Sequence, residues 1–158
     1  MGGAVYGNAG CFGLETEGNF VSCRCLDMRT GEVIEYGKDE MEFSYRFSML
    51  KKNRHLMCLE ATFDLSQKVE KYASDVDNID FRENKQPKGL SCGSFFKNPS
   101  QEKSAGFLIE AVGLKGHKIG GAFFSDKHAN FLMSDGTATH EDMLALIELA
   151  QKRVYQEF

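Results

Sequence analysis

The stretch that most constrains this chain is the run SCGSFFKNP at residues 91–99. Its glycine allows a tight turn or a close approach to a ligand, and its two phenylalanines would anchor that turn in apolar packing. Ser94, Lys97 and Asn98 can then face a polar ligand, where a hydroxyl beside a cation and an amide can deliver a proton to a developing anion. The same run also fits a strand end with a capping serine, and the motif alone does not separate the two interpretations.

Composition limits the classes of function. The chain has 158 residues, a formal net charge of −4 and 42% hydrophobic residues, which suits one domain or two small ones. Its mild acidity argues against a nucleic-acid partner or an anionic membrane surface, and no apolar run approaches the ~20 residues that span a bilayer. Because no signal-peptide pattern is present, we expect a cytoplasmic protein. The five cysteines lack paired metal-ligand spacing and are expected to be reduced thiols without a metal.

The first half of the chain has the patterns of an antiparallel sheet. Residues 20–26 alternate with Val21, Cys23 and Cys25 on one side, which indicates a half-buried strand. Cys23 and Cys25 could form a metal or redox pair, but their place on the apolar face favours buried small hydrophobes. A hairpin partner is predicted over 32–36. The other predicted elements are a helical turn over 38–42 and a strand over 56–65 with Leu59, Ala61, Phe63 and Leu65 on one face.

The second half combines a linker, two helices and short strands. Residues 66–84 are polar and indicate a linker with some helical character. Ser104 fits the cap of one helix, and Thr139 opens a capping box before the last helix. The predicted apolar stripes are Phe107, Leu108, Ala111 and Val112 on the first helix and Met143, Ile147, Ala150, Val154 and Phe158 on the last, with strands over 119–124 and 129–133 between the helices.

These elements predict an α+β fold in two lobes. Residues 1–84 would form a mainly antiparallel sheet, and residues 85–158 a small sheet with two helices packed on one face. A proline at position 87 favours an extended entry into the second lobe.

Several segments of the second lobe carry a family resemblance. After residues 91–99 come AGFLIE at 105–110, GLKG at 113–116, IGGA at 119–122 and KHANF at 127–131. In that order they resemble the substrate-binding domain of the UDP-N-acetylenolpyruvoylglucosamine reductase family. This family makes UDP-N-acetylmuramate for bacterial peptidoglycan, and so serves cell-wall biogenesis, cell shape and cell division.

Two segments of the first lobe extend the resemblance. The run GGAVYGNAGCFG at residues 2–13 is similar to the family's flavin-domain segment, and YRFS at 45–48 is similar to its catalytic arginine motif. Composition alone would make the first run a floppy tail and Arg46 a surface arginine in an ion pair. The resemblance instead implies that Arg46 binds the substrate carboxylate, which the planar guanidinium matches.

The resemblance implies an FAD-dependent oxidoreductase with NADPH as reductant. In that family, hydride passes from flavin N5 to C3 of the enolpyruvyl group of UDP-N-acetylglucosamine enolpyruvate, an arginine and a glutamate stabilise the enolate, and a serine protonates C2. By resemblance Arg46 is the arginine and Ser94 the serine, and both act on the same three-carbon acid. The implied FAD-binding residues are Gly2, Gly3, Ala4, Asn8, Gly10 and Gly13, and the implied substrate-binding residues are Tyr45, Lys85, Lys97, Asn98, Lys127, His128 and Asn130. His128 equally fits a structural role, and Lys85 a solvated linker charge.

Two parts of the family pattern have no counterpart in these 158 residues. They are the N-terminal flavin-pyrophosphate subdomain, a possible partner, and the final strand that carries the glutamate, for which we assign no replacement. We therefore expect this polypeptide alone to bind FAD weakly or not at all and to have little or no reductase activity. It would be a fragment made for expression, a truncated gene product or half of a split enzyme. The alternative is a non-catalytic UDP-sugar-binding module without a redox role.

Overall fold

Helices and antiparallel sheets build this structure, a computed structural model that describes residues 1–66, 75–100 and 102–158. The chain divides into two compact units, Met1–Ala73 and Ser74–Phe158. Helices and sheets occur in one chain, which confirms the predicted α+β class. No helix within the described ranges combines the length and apolarity that a membrane crossing needs.

The first unit is built around an antiparallel sheet of three strands in the order β4-β3-β5, beside a two-stranded ribbon β1-β2. Its elements are α1 (Gly2–Gly7), β1 (Gly10–Cys11), β2 (Leu14–Glu15), β3 (Phe20–Asp27), β4 (Val33–Gly37) and β5 (Leu56–Phe63), with short 3₁₀ turns over Thr16–Asn19, Asp39–Met41 and Met49–Lys51. The glycine-rich start is therefore a short helix and not a floppy tail, because the side chain of Val5 is fully buried in the core of this unit.

The prediction of which residues face inward is wrong at two β-bulges in this sheet. The register between β3 and β5 shifts between Phe20 and Ser22, so that Phe20 is buried and Val21 is 47% exposed. A second shift places Leu59 outside the pairing, and this side chain is 52% exposed. Leu65 follows the end of β5 and is 81% exposed. Each bulge adds one residue and so reverses the alternation that a period of two predicts.

The predicted interior of β3 is otherwise confirmed. Cys23 and Cys25 are both buried, in one core cluster with Val5, Phe20 and Met41. The cluster also contains Met49 and Leu50 from the 3₁₀ turn, and Phe20 makes edge-to-face contacts with Phe43 and Phe63 at centroid distances of 5.0 and 5.8 Å.

The second unit contains an antiparallel sheet in the order β6-β9-β8-β7. Its elements are α2 (Asp75–Lys85), β6 (Leu90–Ser94), α3 (Ala105–Ala111), β7 (Lys118–Ile119), β8 (Ala122–Phe124), β9 (Phe131–Ser134) and α4 (His140–Glu157). Helix α2 confirms the helical character predicted for the linker, of which residues 67–74 lie outside the described residues. The boundary after residue 84 stays a prediction and falls in the last turn of α2.

The strand predicted over 119–124 is two strands joined by a tight turn. Gly120 has φ +54°, and an added side chain at Gly121 would overlap the backbone of Ala138. Ile119 pairs with Ala122 across this turn. The two glycines reverse the chain direction, whereas the apolar run had predicted one continuous strand.

The two helices bury faces that differ in part from the predicted stripes. In α3 the buried residues are Ala105, Leu108 and Ile109, while Phe107 is 57% exposed and Ala111 is also exposed. In α4 the buried residues are Leu146 and Ala150, Met143, Ile147 and Val154 are partly buried, and Phe158 is 57% exposed. The predicted caps are confirmed, since the Ser104 hydroxyl accepts from the Phe107 N–H and Thr139 with Asp142 forms a capping box.

Candidate functional site

Arg46 lies at the tip of a tight turn in the first unit. Ser44 and Phe47 exchange both backbone hydrogen bonds, at 3.2 and 2.9 Å, and Arg46 between them has φ +55°. This left-handed conformation is uncommon for a residue with a side chain and persists only where surrounding contacts fix it.

The guanidinium of Arg46 binds the backbone of the glycine-rich segment. Its Nη2 donates to the carbonyl of Gly10 at 2.6 Å, and its Nη1 donates to the carbonyl of Asn8 at 3.4 Å. Nη1 also lies 3.7 Å from a carboxylate oxygen of Glu15, and the ring of Tyr45 lies 5.0 Å from the guanidinium carbon. The structure therefore brings the predicted arginine and the predicted flavin segment together.

Asn8 fixes this arrangement from inside. The residue is fully buried with φ 43°, and its Nδ2 donates to the carboxylates of Glu15 and Glu17 and to the carbonyl of Ser44. Its Oδ1 accepts from the Glu17 N–H at 3.0 Å. The side chain of Asn8 thus ties α1 to β2 and to the arginine turn.

Two residues outside the predicted site hold the same turn. The buried Ser48 donates from its Oγ to the carbonyl of Tyr6 at 2.8 Å, and Lys51 Nζ donates to the carbonyl of Arg46 at 2.7 Å. Lys51 Nζ also lies 5.5 Å from the centre of the Tyr6 ring. Ser48 belongs to the motif that carried the resemblance, whereas no sequence signal distinguished Lys51 from a surface lysine.

The glycines of the segment differ in what surrounds them. Apart from the backbone of α1 itself and the chain neighbours, no heavy atom lies within 4 Å of a Cβ built on Gly2 or Gly3, so this face of α1 is open. A Cβ on Gly10 would lie 2.2 Å from the Leu14 carbonyl oxygen, so a side chain does not fit there. Gly13 has φ +80°, and Ala4, partly buried, accepts from the N–H of residue 9. The open face suits the approach of a flat ligand.

In the second unit, the Asn130 side chain holds the turn that follows β6 by hydrogen bonds. Its Oδ1 accepts from the Phe96 N–H and its Nδ2 donates to the Phe96 carbonyl, both at 2.8 Å. Its own carbonyl accepts from the Phe95 N–H at 2.8 Å, and the residue is 3% exposed. The predicted ligand-binding amide is therefore engaged with the backbone of the nine-residue run and sets its shape.

Ser94 ends β6 at a bulge. The pairing of β6 with β9 is irregular between Ser91 and Ser94, and Gly93 between them has φ +82°. The Ser91 hydroxyl accepts from the Gly93 N–H at 3.0 Å and donates to the Leu132 carbonyl. These contacts fix the backbone at the bulge, while Ser94 itself is exposed to solvent.

The remaining residues of the run lead into α3. Asn98 accepts through Oδ1 from the Ala105 N–H at 3.0 Å and so helps to start that helix. Lys97 is exposed, at the edge of an apolar pocket of about 320 Å³ between the run, α3 and α4. The pocket is lined by Phe96, Lys97, Pro99, Ala105, Leu108, Ile109, Ala150, Gln151, Val154 and Tyr155.

His128 packs within the second unit. Its Nδ1 accepts from the Asn130 N–H at 3.2 Å, and its ring lies 4.9 Å from the Phe131 ring. Burial lowers the pKa of His128, which favours the neutral ring with its proton on Nε2. By contrast, the predicted substrate-binding residues Lys127 and Lys85 are exposed.

Comparison with known proteins gives one consistent result. The family description "UDP-N-acetylenolpyruvoylglucosamine reductase, C-terminal domain" matches residues 85–158. The reductase of that name from Fervidobacterium nodosum is 42% identical over 161 residues, which cover 100% of this chain and 52% of that protein. The one from Bacillus licheniformis is also 42% identical over 161 residues and is covered to 86% of its length.

A solved structure agrees with the sequence comparison. The crystal structure of the reductase from Thermus caldophilus superposes with a TM-score of 0.82 at 32% identity, covering 96% of this chain and 55% of that one. The chain spans about half the length of the first curated relatives that it matches. The identity, the coverage and the shared fold together show that the chain belongs to the UDP-N-acetylenolpyruvoylglucosamine reductase family.

Proposed function

We propose that this chain takes part in the NADPH-dependent, FAD-mediated reduction of UDP-N-acetylglucosamine enolpyruvate to UDP-N-acetylmuramate, a cytoplasmic step of peptidoglycan synthesis. The observation that carries the proposal is the seating of the Arg46 guanidinium on the carbonyls of Asn8 and Gly10. It joins, in one unit, the segment that resembles a flavin site and the cation that the reaction needs. Family membership supports the reaction class.

Arg46 would stabilise the enolate that forms when hydride adds to the enolpyruvyl group. Its two bonds to carbonyls engage two of the five N–H donors of a guanidinium, and the side chain is 34% exposed. A substrate carboxylate can therefore bind the other donors, beside the Glu15 carboxylate that lies 3.7 Å from Nη1. Since the protein already fixes the cation, little reorganisation is needed as charge develops, which is the condition for a large electrostatic contribution.

The open backbone of α1 fits the lining of a flat cofactor. A Cβ on Gly2 or Gly3 would meet no atom within 4 Å beyond α1 and its chain neighbours, so a ring could approach their backbone directly. FAD, when bound, would take electrons from NADPH and supply the hydride. Asn8 would act differently from the other predicted cofactor residues, since its buried amide positions the segment that holds Arg46.

Ser94 would donate the proton to C2. A serine hydroxyl is a weak acid, so it must lie close to the enolate and be polarised by a neighbour. Lys97 is the exposed cation of the same run, and Asn130 holds the backbone of that run in place. The exposed Lys85 and Lys127 would contact the nucleotide sugar, with His128 and Tyr45 as further contacts.

The test begins with substrate binding. We would titrate the 158-residue polypeptide calorimetrically with UDP-N-acetylglucosamine enolpyruvate, with and without FAD, and record NADPH oxidation in the same samples. We expect weak flavin retention and little turnover by this polypeptide alone. Binding of the UDP sugar that is independent of flavin, without turnover, would favour the alternative of a UDP-sugar-binding module.

Turnover would be measured in a chimera that carries this chain in place of the matching 55% of the Thermus caldophilus reductase. Arg46→Lys should lower kcat by about 10²–10³-fold, as expected for the loss of a fixed donor to an oxyanion. Arg24→Lys is the matched control, because Arg24 pairs with Glu60 on the sheet surface. Ser94→Ala should lower kcat with little change in KM. Unchanged kcat in both site variants would refute the assigned roles.

A further inference from the structure

Three cysteine sulfurs converge in the core of the first unit. The Sγ atoms of Cys23, Cys25 and Cys58 all lie within 4.8 Å of one another, and those of Cys23 and Cys25 are 3.6 Å apart. The Sδ of Met41 lies 3.5 Å from the Cys23 Sγ. Four soft donor atoms from three separate chain segments therefore share one place.

The bulge in β5 explains why the third sulfur is there. Cys58 pairs directly with Cys25, and the residue after it is left out of the register, so that Ala61 and not Glu60 pairs with Cys23. The bulge thus keeps a carboxylate off the inner face and places a small alanine beside the thiols. Without it, the alternation would put Glu60 opposite Cys23.

The spacing suits coordination of one ion. Three sulfurs bound at ~2.3 Å from a metal lie roughly 3.8–4.0 Å from one another. One separation in this cluster is 3.6 Å and none exceeds 4.8 Å, so small side-chain rotations would bring the three sulfurs to that geometry. Cys58 is partly exposed on the edge strand β5, which offers a path for entry.

We propose that Cys23, Cys25 and Cys58 form a binding site for copper(I) that is separate from the proposed reductase function. Thiolate ligands favour soft metal ions, among them copper(I) and zinc. Within the part of the chain that the structure describes, no imidazole or carboxylate completes the group of three thiols, and zinc sites usually take four nitrogen, sulfur or oxygen ligands in a tetrahedron. A set of three thiolates without a fourth protein ligand among the residues described therefore fits copper(I) better than zinc.

Binding must release protons. Each thiol that coordinates the ion gives its proton to solvent and binds as thiolate. Because each coordinating thiol loses a proton, the apparent affinity should rise with pH. If the thiols serve only as small hydrophobic side chains, copper(I) would find no dedicated site in this core.

The experiment uses the protein with its two exposed cysteines replaced, Cys11→Ser and Cys92→Ser, so that the remaining thiols are the three of the cluster. Copper(I) is titrated anaerobically against a chromophoric copper(I) chelator, and native mass spectrometry counts the ions bound and the protons lost. We expect one copper(I) per protein, held more tightly than zinc(II) tested in the same way. Cys58→Ala in this background should weaken binding by at least about tenfold.

Met41→Leu is the matched control, because it changes the same core cluster at nearly constant volume and keeps all three thiols. It should change the affinity only a few-fold. A loss as large as that of Cys58→Ala would overturn the three-thiol assignment, as would equal binding by Cys58→Ala and its parent. Alkylation of Cys58 in the parent protein needs no core substitution. Copper(I) should slow it, and an unchanged rate would overturn the proposal.

Discussion

Replacing Asn130 by alanine should destabilise the second unit and release the turn that presents Ser94. The side chain makes two hydrogen bonds of 2.8 Å to Phe96, one to the N–H and one to the carbonyl, and it is 3% exposed. Alanine can make neither bond, so the N–H and the carbonyl of Phe96 both lose their hydrogen-bond partner. The bond from the Phe95 N–H to the carbonyl at position 130 is unaffected, since it uses backbone only.

The expected cost follows from those two bonds. A buried polar group that loses its partner costs about 1–3 kcal/mol. Phe96 is only partly buried, so water can compensate in part, and the sum is about 2–4 kcal/mol. With a urea m-value of about 1–2 kcal/mol/M, the midpoint should fall by at least about 1 M.

The assay is urea denaturation followed by circular dichroism, together with amide hydrogen exchange at Phe96. Exchange at Phe96 should become much faster in Asn130→Ala. Asn84→Ala, at an exposed position on α2, is the control and should remain within about 0.5 kcal/mol of the parent. A loss below about 0.5 kcal/mol in Asn130→Ala, with unchanged exchange at Phe96, would refute the conclusion that the Asn130 side chain holds this turn.

Three further predictions test other parts of the two units. Gly10→Ala places a Cβ 2.2 Å from the Leu14 carbonyl oxygen and should cost about 1–3 kcal/mol in urea denaturation, while Gly3→Ala, where no atom lies within 4 Å, should be nearly neutral. The side chain and then the backbone N–H of Arg29 lower the pKa of Asp27 to about 2 from 3.8, so the stability that this carboxylate adds is present above about pH 4 and lost as the pH falls towards 2. Asp27→Asn should flatten that acid limb of the stability profile, measured by urea denaturation between about pH 2 and 7. Thr139→Ala removes the capping box of α4 and should cost about 1 kcal/mol, measured as a lower thermal midpoint.

The elements that the sequence predicted well are those with a local cause. The capping box at Thr139 and the helix cap at Ser104 depend on residues three positions apart, so both could be predicted without the fold. The hairpin of β3 and β4 likewise follows from alternation and a short turn.

The errors have a common physical origin, because they depend on which partner strand or helix lies alongside. The alternation at Val21 and Leu59 fails where β3 and β5 differ by one residue, and a pattern of period two cannot reveal an extra residue. In α3, Phe107 was expected inside and is exposed, because Leu108 and Ile109 face the core. A helix with apolar residues on several faces does not define its own buried face.

In the candidate site, too, local features could be predicted from the sequence and contacts between distant residues could not. The resemblance selected Arg46, but no sequence pattern indicated that its backbone would be left-handed or that Lys51 would bind its carbonyl. Asn130 was predicted to face a ligand, whereas its amide is engaged by Phe96. Residue type could indicate that these positions matter; their partners, 34 residues away in the case of Asn130, depend on the fold.

Backbone strain around Arg46 supports a functional assignment on grounds separate from the family resemblance. Among the described residues, the non-glycine positions with positive φ are Asn8, Phe12, Glu42 and Arg46, and three of these four lie in the glycine-rich segment or at the arginine itself. Such conformations cost of order 1–3 kcal/mol each and persist only where neighbouring contacts impose them. The contacts that impose φ +55° on Arg46 are the bridge between Ser44 and Phe47 and the bonds to Gly10 and from Lys51. A glycine at 46 would relieve the strain but would remove the guanidinium and its bonds to the carbonyls of Asn8 and Gly10. An arginine held in this left-handed conformation is consistent with the proposed role of a fixed cation for a transient anion.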